Sequence, residues 1–132
     1  AEAMGATGVL LTSNRCARLG PTVARTSAGA SELLPVAMET NLVRSLKAAQ
    51  KAGVQVVGAD LDGVGPATID FTCPTILVVG AEGKGLRRLT RETCDRIVTI
   101  PLSGFTESLN AASAGSILVY EAAQQRAHEV EK

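Results

Sequence analysis

The chain has 132 residues, 45% of them apolar and 20% charged, and its 13 basic side chains are balanced by 13 acidic ones. That length suits one domain with a sizeable core, and no apolar run approaches the roughly 20 residues a membrane helix needs. Zero net charge argues against a chain that grips nucleic acid by overall electrostatics, while leaving room for a local basic face.

Other composition features narrow the chemistry. Tyr120, Phe71 and Phe105 are the only aromatic residues, so no base-stacking platform is apparent. Cys16, Cys73 and Cys94 are widely spaced and odd in number, which argues against a disulfide framework and a zinc site. They read as reduced thiols of a cytoplasmic protein. The single histidine, His128, lies in the charged tail, so a histidine-dependent triad within one chain is nearly excluded.

In chain order, Ala1 to Gly5 reads as a last helical turn closed by glycine, with no start signal before it. The expectation is natural sequence upstream of Ala1. Gly8 to Thr12 reads as a short buried strand. The loop Ser13 to Gly20 carries Arg15 and Arg18, and Pro21 opens a short helix over Thr22 to Thr26. Ser27 to Ser31 is a small-residue turn. Leu33 to Met38 reads as an edge strand interrupted by Pro35.

Thr40 or Asn41 caps a helix over Leu42 to Ala52, stopped by Gly53. Val54 to Ala59 is a strand and Asp60 to Pro66 a glycine-rich loop. Thr75 to Val79 is the next strand. A helix over Leu86 to Cys94 follows, with Arg87, Arg88 and Arg91 on its exposed side. Arg96 to Ile100 is a strand stopped by Pro101, and Leu109 to His128 is the closing helix. Alternating strands and helices predict an α/β domain with a mostly parallel sheet and helices on both faces.

Two loops attract attention. Gly80-Ala81-Glu82-Gly83-Lys84-Gly85 lets backbone groups come close to a ligand. Its spacing fits neither the Walker A loop nor the dinucleotide fingerprint, and a tight strand-to-helix turn explains it equally well. Glu82 there could simply complement a helix dipole. Ser108 could be a helix cap, whereas Asn110, one turn into the predicted helix, is a poor helix former with a tertiary polar role. Ala111 to Ser116 form a small helical face suited to a cofactor wall, a subunit contact or tight packing.

Val78 to Leu86 resembles motif 2, and Ile100 to Ala114 motif 3, of the SpoU family of RNA 2′-O-ribose methyltransferases in the SPOUT superfamily. The upstream GATGVLLT, SAGASELLPV and NLVRSL segments are similar to the branch that methylates a guanosine in 23S ribosomal RNA. The resemblance implies a deep C-terminal trefoil knot, bound S-adenosylmethionine, and an obligate homodimer through the closing helix. Gly80, Ile100 and Leu109 would hold the cofactor, with Ala59, Ala81 and Leu102 as further pocket residues. Glu82, Ser108 and Asn110 fall at its catalytic positions. Arg15 and Arg25 are assigned to RNA phosphates.

The chain departs from the family in three ways. Motif 1, with the arginine thought to assist the ribose hydroxyl, would lie before Ala1, and so would the separate RNA-binding domain. Ala111-Ala112 stands where the family usually has Val-Ser. The expectation is a single catalytic domain, truncated at its N-terminus, that binds cofactor and depends on motif 1 for turnover. It acts without a metal or membrane, on ribosomal RNA in preference to transfer RNA. The alternatives are a knotted RNA-binding or dimerisation module without turnover, and an unrelated nucleotide-binding α/β domain.

Overall fold

A computed structural model describes residues 1–13, 20–105 and 107–130. The chain divides into two compact units, Ala1–Leu42 and Val43–Lys132.

In the first unit a 3-10 turn, Glu2–Met4, is closed by Gly5 at φ 79°. Strand β1 (Val9–Thr12) pairs in parallel with β2 (Val36–Glu39), from Val9 opposite Val36 to Thr12 opposite Glu39. Helix α1 (Pro21–Thr26) starts on its proline, whose fixed φ suits a first helical turn. A second short helix, α2 (Ala30–Leu33), occupies the expected turn and the start of the expected strand. The left-handed pair Ala28 (φ 51°) and Gly29 (φ 82°) turns the chain into it. Pro35 then holds Leu34 extended, at φ −97° and ψ 124°, because a proline disfavours helical geometry in the preceding residue. The strand therefore begins only after Pro35.

The second unit holds α3 (Leu42–Lys51), β3 (Gln55–Val64), β4 (Thr75–Val79), α4 (Arg88–Thr93), β5 (Arg96–Val98) and α5 (Ala111–Val130). The strand order is β4-β3-β5 and both pairings are parallel. Parallel neighbours need crossover connections, which α4 and the chain before β4 provide. The expected loop at Asp60 is instead a continuation of β3 with a break in register: Ala59 and Val64 both pair with Val98. Gly63 permits this, because a Cβ there would stand 2.5 Å from the Ile97 carbonyl oxygen.

Side chains alternate across a strand, and β3 shows what covers each face. Val57 packs with Phe71, Val98 and Leu118 in the core cluster on the α5 side. A Cβ on its neighbour Gly58 would stand 2.7 Å from both Cys94 Sγ and Leu86 Cδ1. The α4 segment therefore covers the opposite face, so helical segments flank both sides, as the alternation of elements predicts. Gln50 of α3 ties to this second side, donating to the Thr93 carbonyl (2.7 Å) and to Asp95 Oδ1 (2.9 Å).

Hydrogen bonds of Gln125 and Arg126 fasten α5 to the segment before β4, among them one from Arg126 Nη2 to the Cys73 carbonyl at 3.2 Å. The Phe71 N–H donates to Gln125 Oε1 (2.9 Å) and Arg126 Nε donates to the Phe71 carbonyl (2.8 Å). Phe71 and Leu118 are fully buried. Leu118→Ala is expected to lower unfolding free energy by about 2–5 kcal/mol through lost burial and a residual cavity. Urea denaturation followed by circular dichroism measures this, and a loss under about 1 kcal/mol would contradict the place given to Leu118 in the core.

Candidate cofactor and catalytic site

The second unit builds its site at one edge of its sheet. Ala59 on the central strand lies opposite Val79 of β4 and Val98 of β5. All three strands run the same way, and neighbours are about 4.8 Å apart. Gly80, next after Val79, and the Thr99-Ile100 corner, next after Val98, therefore leave the sheet at the same carboxyl edge. Ligands of open α/β sheets bind beyond that edge. Ile100 is partly buried against the core cluster.

The glycine-rich segment is a closed turn. Ala81 bridges to Gly85, and the N–H groups of Lys84 and Gly85 donate to the Ala81 carbonyl at 3.2 and 3.0 Å. Gly83 and Gly85 have φ of 74° and 59°, a region that glycine enters at least cost. A Cβ on Gly80 would overlap the Gly85 backbone and stand 2.6 Å from Leu86 N. Glu82 is exposed within this turn. Helix α4 begins only at Arg88, so Glu82 lies outside its first turn and the helix-dipole explanation does not apply.

Charged residues brace the turn from behind. Asp60 Oδ2 accepts from Arg91 Nη1 at 2.6 Å, and Arg91 Nη2 lies 3.0 Å from Asp62 Oδ1. A Gly85 Cβ would stand 3.4 Å from Asp60 Oδ1. The hydrogen bond that Arg91 donates to Asp60, more than any other contact, raises the Arg91 pKa and keeps the guanidinium charged. Arg91 is thus only partly exposed and already paired, unlike the open arginine expected from the sequence. Arg87 and Arg88 are exposed. Cys94 donates its thiol to the Thr90 carbonyl at 3.2 Å, and burial, followed by the Asp95 charge, pushes its pKa up.

The second loop leads to α5. Gly115 packs toward β4, where a Cβ would stand 3.7 Å from Val79 Cγ2, so the start of α5 lies near the strand that ends at Gly80. Asn110 caps this helix: its Oδ1 accepts from the Ser113 N–H at 2.7 Å and its carbonyl from the Ala114 N–H at 3.0 Å. The cap is therefore Asn110 rather than Ser108, and its helix-disfavouring character is explained locally. Among the described residues the Asn110 Nδ2 donates to no protein group, and Ser108 makes no hydrogen bond. Ser108, Leu109 and Leu102 are exposed.

Residues 1–120 match the SpoU rRNA Methylase family. The chain belongs to this family. It is 54% identical over 127 residues to an uncharacterized tRNA/rRNA methyltransferase of Mycolicibacterium gilvum, covering 94% of this chain and 40% of that protein. It is 45% identical over 127 residues to the 23S rRNA (guanosine-2′-O-)-methyltransferase RlmB of Ralstonia nicotianae, covering 96% of this chain and 51% of the relative. The chain thus spans about half or less of these relatives. The SpoU methyltransferase AviRb of Streptomyces viridochromogenes, crystallised with AdoMet, superposes with a TM-score of 0.85 at 34% identity, over 95% of this chain and 49% of AviRb.

In this SpoU chain, Ala59, Gly80, Ala81 and Ile100 come together at the carboxyl edge, and Asn110 caps the helix whose Gly115 packs against β4. Arg25 is exposed at the end of α1, in the other compact unit. Arg15 lies outside the described residues. Asp60 and Asp62 were not singled out by sequence reasoning. The available signal was their spacing of two in an extended segment, which can present two carboxylates to one cation.

Asn110 therefore carries a structural load at the start of α5. Asn110→Ala is expected to lose about 1 kcal/mol of stability, and Asn110→Asp to keep nearly all of it, because aspartate caps as well as asparagine. Thermal denaturation of both variants measures this. Equal losses would contradict the cap.

Proposed function

We propose that this chain is the cofactor-binding and catalytic part of an S-adenosylmethionine-dependent RNA 2′-O-ribose methyltransferase acting on a guanosine of 23S rRNA. The observation that carries the reading is the delivery of two motif-bearing loops to one sheet edge by Ala59, which pairs with both β4 and β5. AviRb, crystallised with AdoMet, supports the choice of cofactor, and RlmB the choice of target.

The residues present fit S-adenosylmethionine. Gly80 has no side chain and admits none, which leaves the backbone of the turn open to close approach. Among the described residues, no backbone hydrogen bond joins residues 101–109 to the rest of the chain. Their N–H and C=O groups are available to the polar atoms of an adenosyl and an amino-acid moiety. Gly80, Ala81, Ile100, Leu102 and Leu109 would hold the cofactor at these groups, with Ala59 as the floor. When bound, the cofactor supplies an electrophilic methyl group on sulfur.

The protein's part is to place a ribose hydroxyl and ease its deprotonation. Asn110 is fixed by its cap bond, so its free Nδ2 amide can donate to a ribose oxygen. Ser108, two residues earlier, offers a hydroxyl from the same loop, and Glu82 offers a carboxylate from the turn after β4. Arg25 and Arg15 would meet RNA phosphates. We further propose that the loops are held by the C-terminal trefoil knot, that two chains associate through α5 and that the enzyme acts in the cytoplasm. Ile117 and Tyr120 on α5 are 42% and 53% exposed, which supports such an association.

Calorimetric titration of the full-length protein with S-adenosylmethionine and S-adenosylhomocysteine tests the reading. Binding of at least one is expected, and failure to bind either would overturn it. Gly80→Ala is expected to weaken binding at least about tenfold, the equivalent of 1.4 kcal/mol, with circular dichroism reporting whether the fold persists. Mapping ribose methylation in a strain lacking the protein should show one guanosine of 23S rRNA losing its mark. Loss from a tRNA instead would favour the transfer-RNA reading.

A further inference from the structure

Of the two phenylalanines, Phe71 is 1% exposed and closes the core, whereas Phe105 is 109% exposed. Phe105 lies in the loop that leaves β5 and ends at the Asn110 cap. Its beginning is pinned on the β5 side, where the Thr99 N–H donates to the Val64 carbonyl at 2.9 Å and the Thr99 hydroxyl to the Leu61 carbonyl at 3.0 Å. Its end is pinned near β4, through Gly115 against Val79. The loop thus starts on the β5 side of the carboxyl edge and leads to a helix that packs on β4, and Phe105 stands in it three residues before Ser108.

We infer that Phe105 is a substrate-positioning residue that stacks on an unpaired RNA base beside the target ribose. The inference rests on the methyltransferase reading above. A fully exposed benzyl side chain contributes nothing to the folded core, so its free energy is available to a partner. Three features select a base as that partner. The ring shares its loop with Ser108 and Asn110, so whatever it holds is held beside the reacting hydroxyl. Ile100, in the same segment, packs on the core, so the backbone there and not Phe105 is suited to the cofactor. Phe105 also lies outside α5, the helix that carries the exposed Ile117 and Tyr120 through which two chains would meet.

Sequence-specific RNA recognition commonly splays out unpaired bases and stacks them on aromatic rings. Such stacking tolerates any base, so Phe105 would set the position of the ribose rather than read its identity. This one aromatic finger takes the place of the multi-residue stacking platform that the composition does not provide.

The test uses the full-length protein with in-vitro transcribed 23S rRNA and S-adenosylmethionine. Phe105→Ala is expected to raise KM for RNA at least about fivefold, while S-adenosylmethionine affinity, melting temperature and oligomeric state stay at wild-type values. Phe105→Trp should restore the KM, and Phe105→Leu, apolar but not aromatic, should not. An unchanged KM in Phe105→Ala overturns the inference, as does full rescue by leucine. A loss of cofactor affinity or of the oligomer in Phe105→Ala also overturns it, by assigning the ring to another contact. If the wild-type protein binds no cofactor, the methyltransferase reading itself fails; if it methylates RNA and Phe105→Ala does so equally well, only the stacking role does.

Discussion

Parallel pairing of β3 with both β4 and β5 is the constraint on which the candidate site depends. With one strand between them running the same way, Gly80 and the Thr99-Ile100 corner must emerge at the same edge. Reversal of either neighbour would send its loop to the far end of the sheet. The core enforces the arrangement, because Val57, Val98 and Leu118 are all fully buried in it. A slip of one residue would turn every inward side chain outward.

Rigidity at the edge comes from different sources for the two loops. The turn after β4 is closed by contact of backbone on backbone, Gly80 against Gly85, and is backed by Asp60 and Arg91. Asp60 stands immediately beyond Ala59, so the central strand braces the turn through a charged side chain as well as through its ladder. Asp60 is enclosed enough for this ion pair to be screened less than an open surface pair. Among the described residues, the longer loop after β5 is pinned at its ends, by Thr99 and by the Asn110 cap. Phe105, between those ends, is fully exposed.

Asn110 shows how one residue can cap a helix and still offer a donor for the chemistry proposed for it. Its acceptor oxygen fixes the first turn of α5, and that same bond orients the amide nitrogen outward. Substitution by alanine removes both roles together, so activity loss in that variant alone would say little about catalysis. Aspartate separates them by keeping the acceptor and deleting the donor.

The sequence by itself determined the alternation of elements, the span of β4 to the residue, and both loops as sites of interest. These rest on local signals: apolar runs bounded by Pro74 and Gly80, and helix stops at glycine. It placed Asp60 to Pro66 in a loop, Glu82 close enough to a helix start to complement its dipole, and Asn110 inside a helix. Tertiary structure decided these otherwise. Continuation of β3 to Val64 depends on Ile97 lying against Gly63, and the start of α5 depends on which polar side chain reaches the Ser113 N–H. Arg91 looked free in sequence because its partners, Asp60 and Asp62, lie about 30 residues away. Periodicity and propensity report on neighbours along the chain; ion pairs, caps and close backbone contacts are settled by neighbours in space.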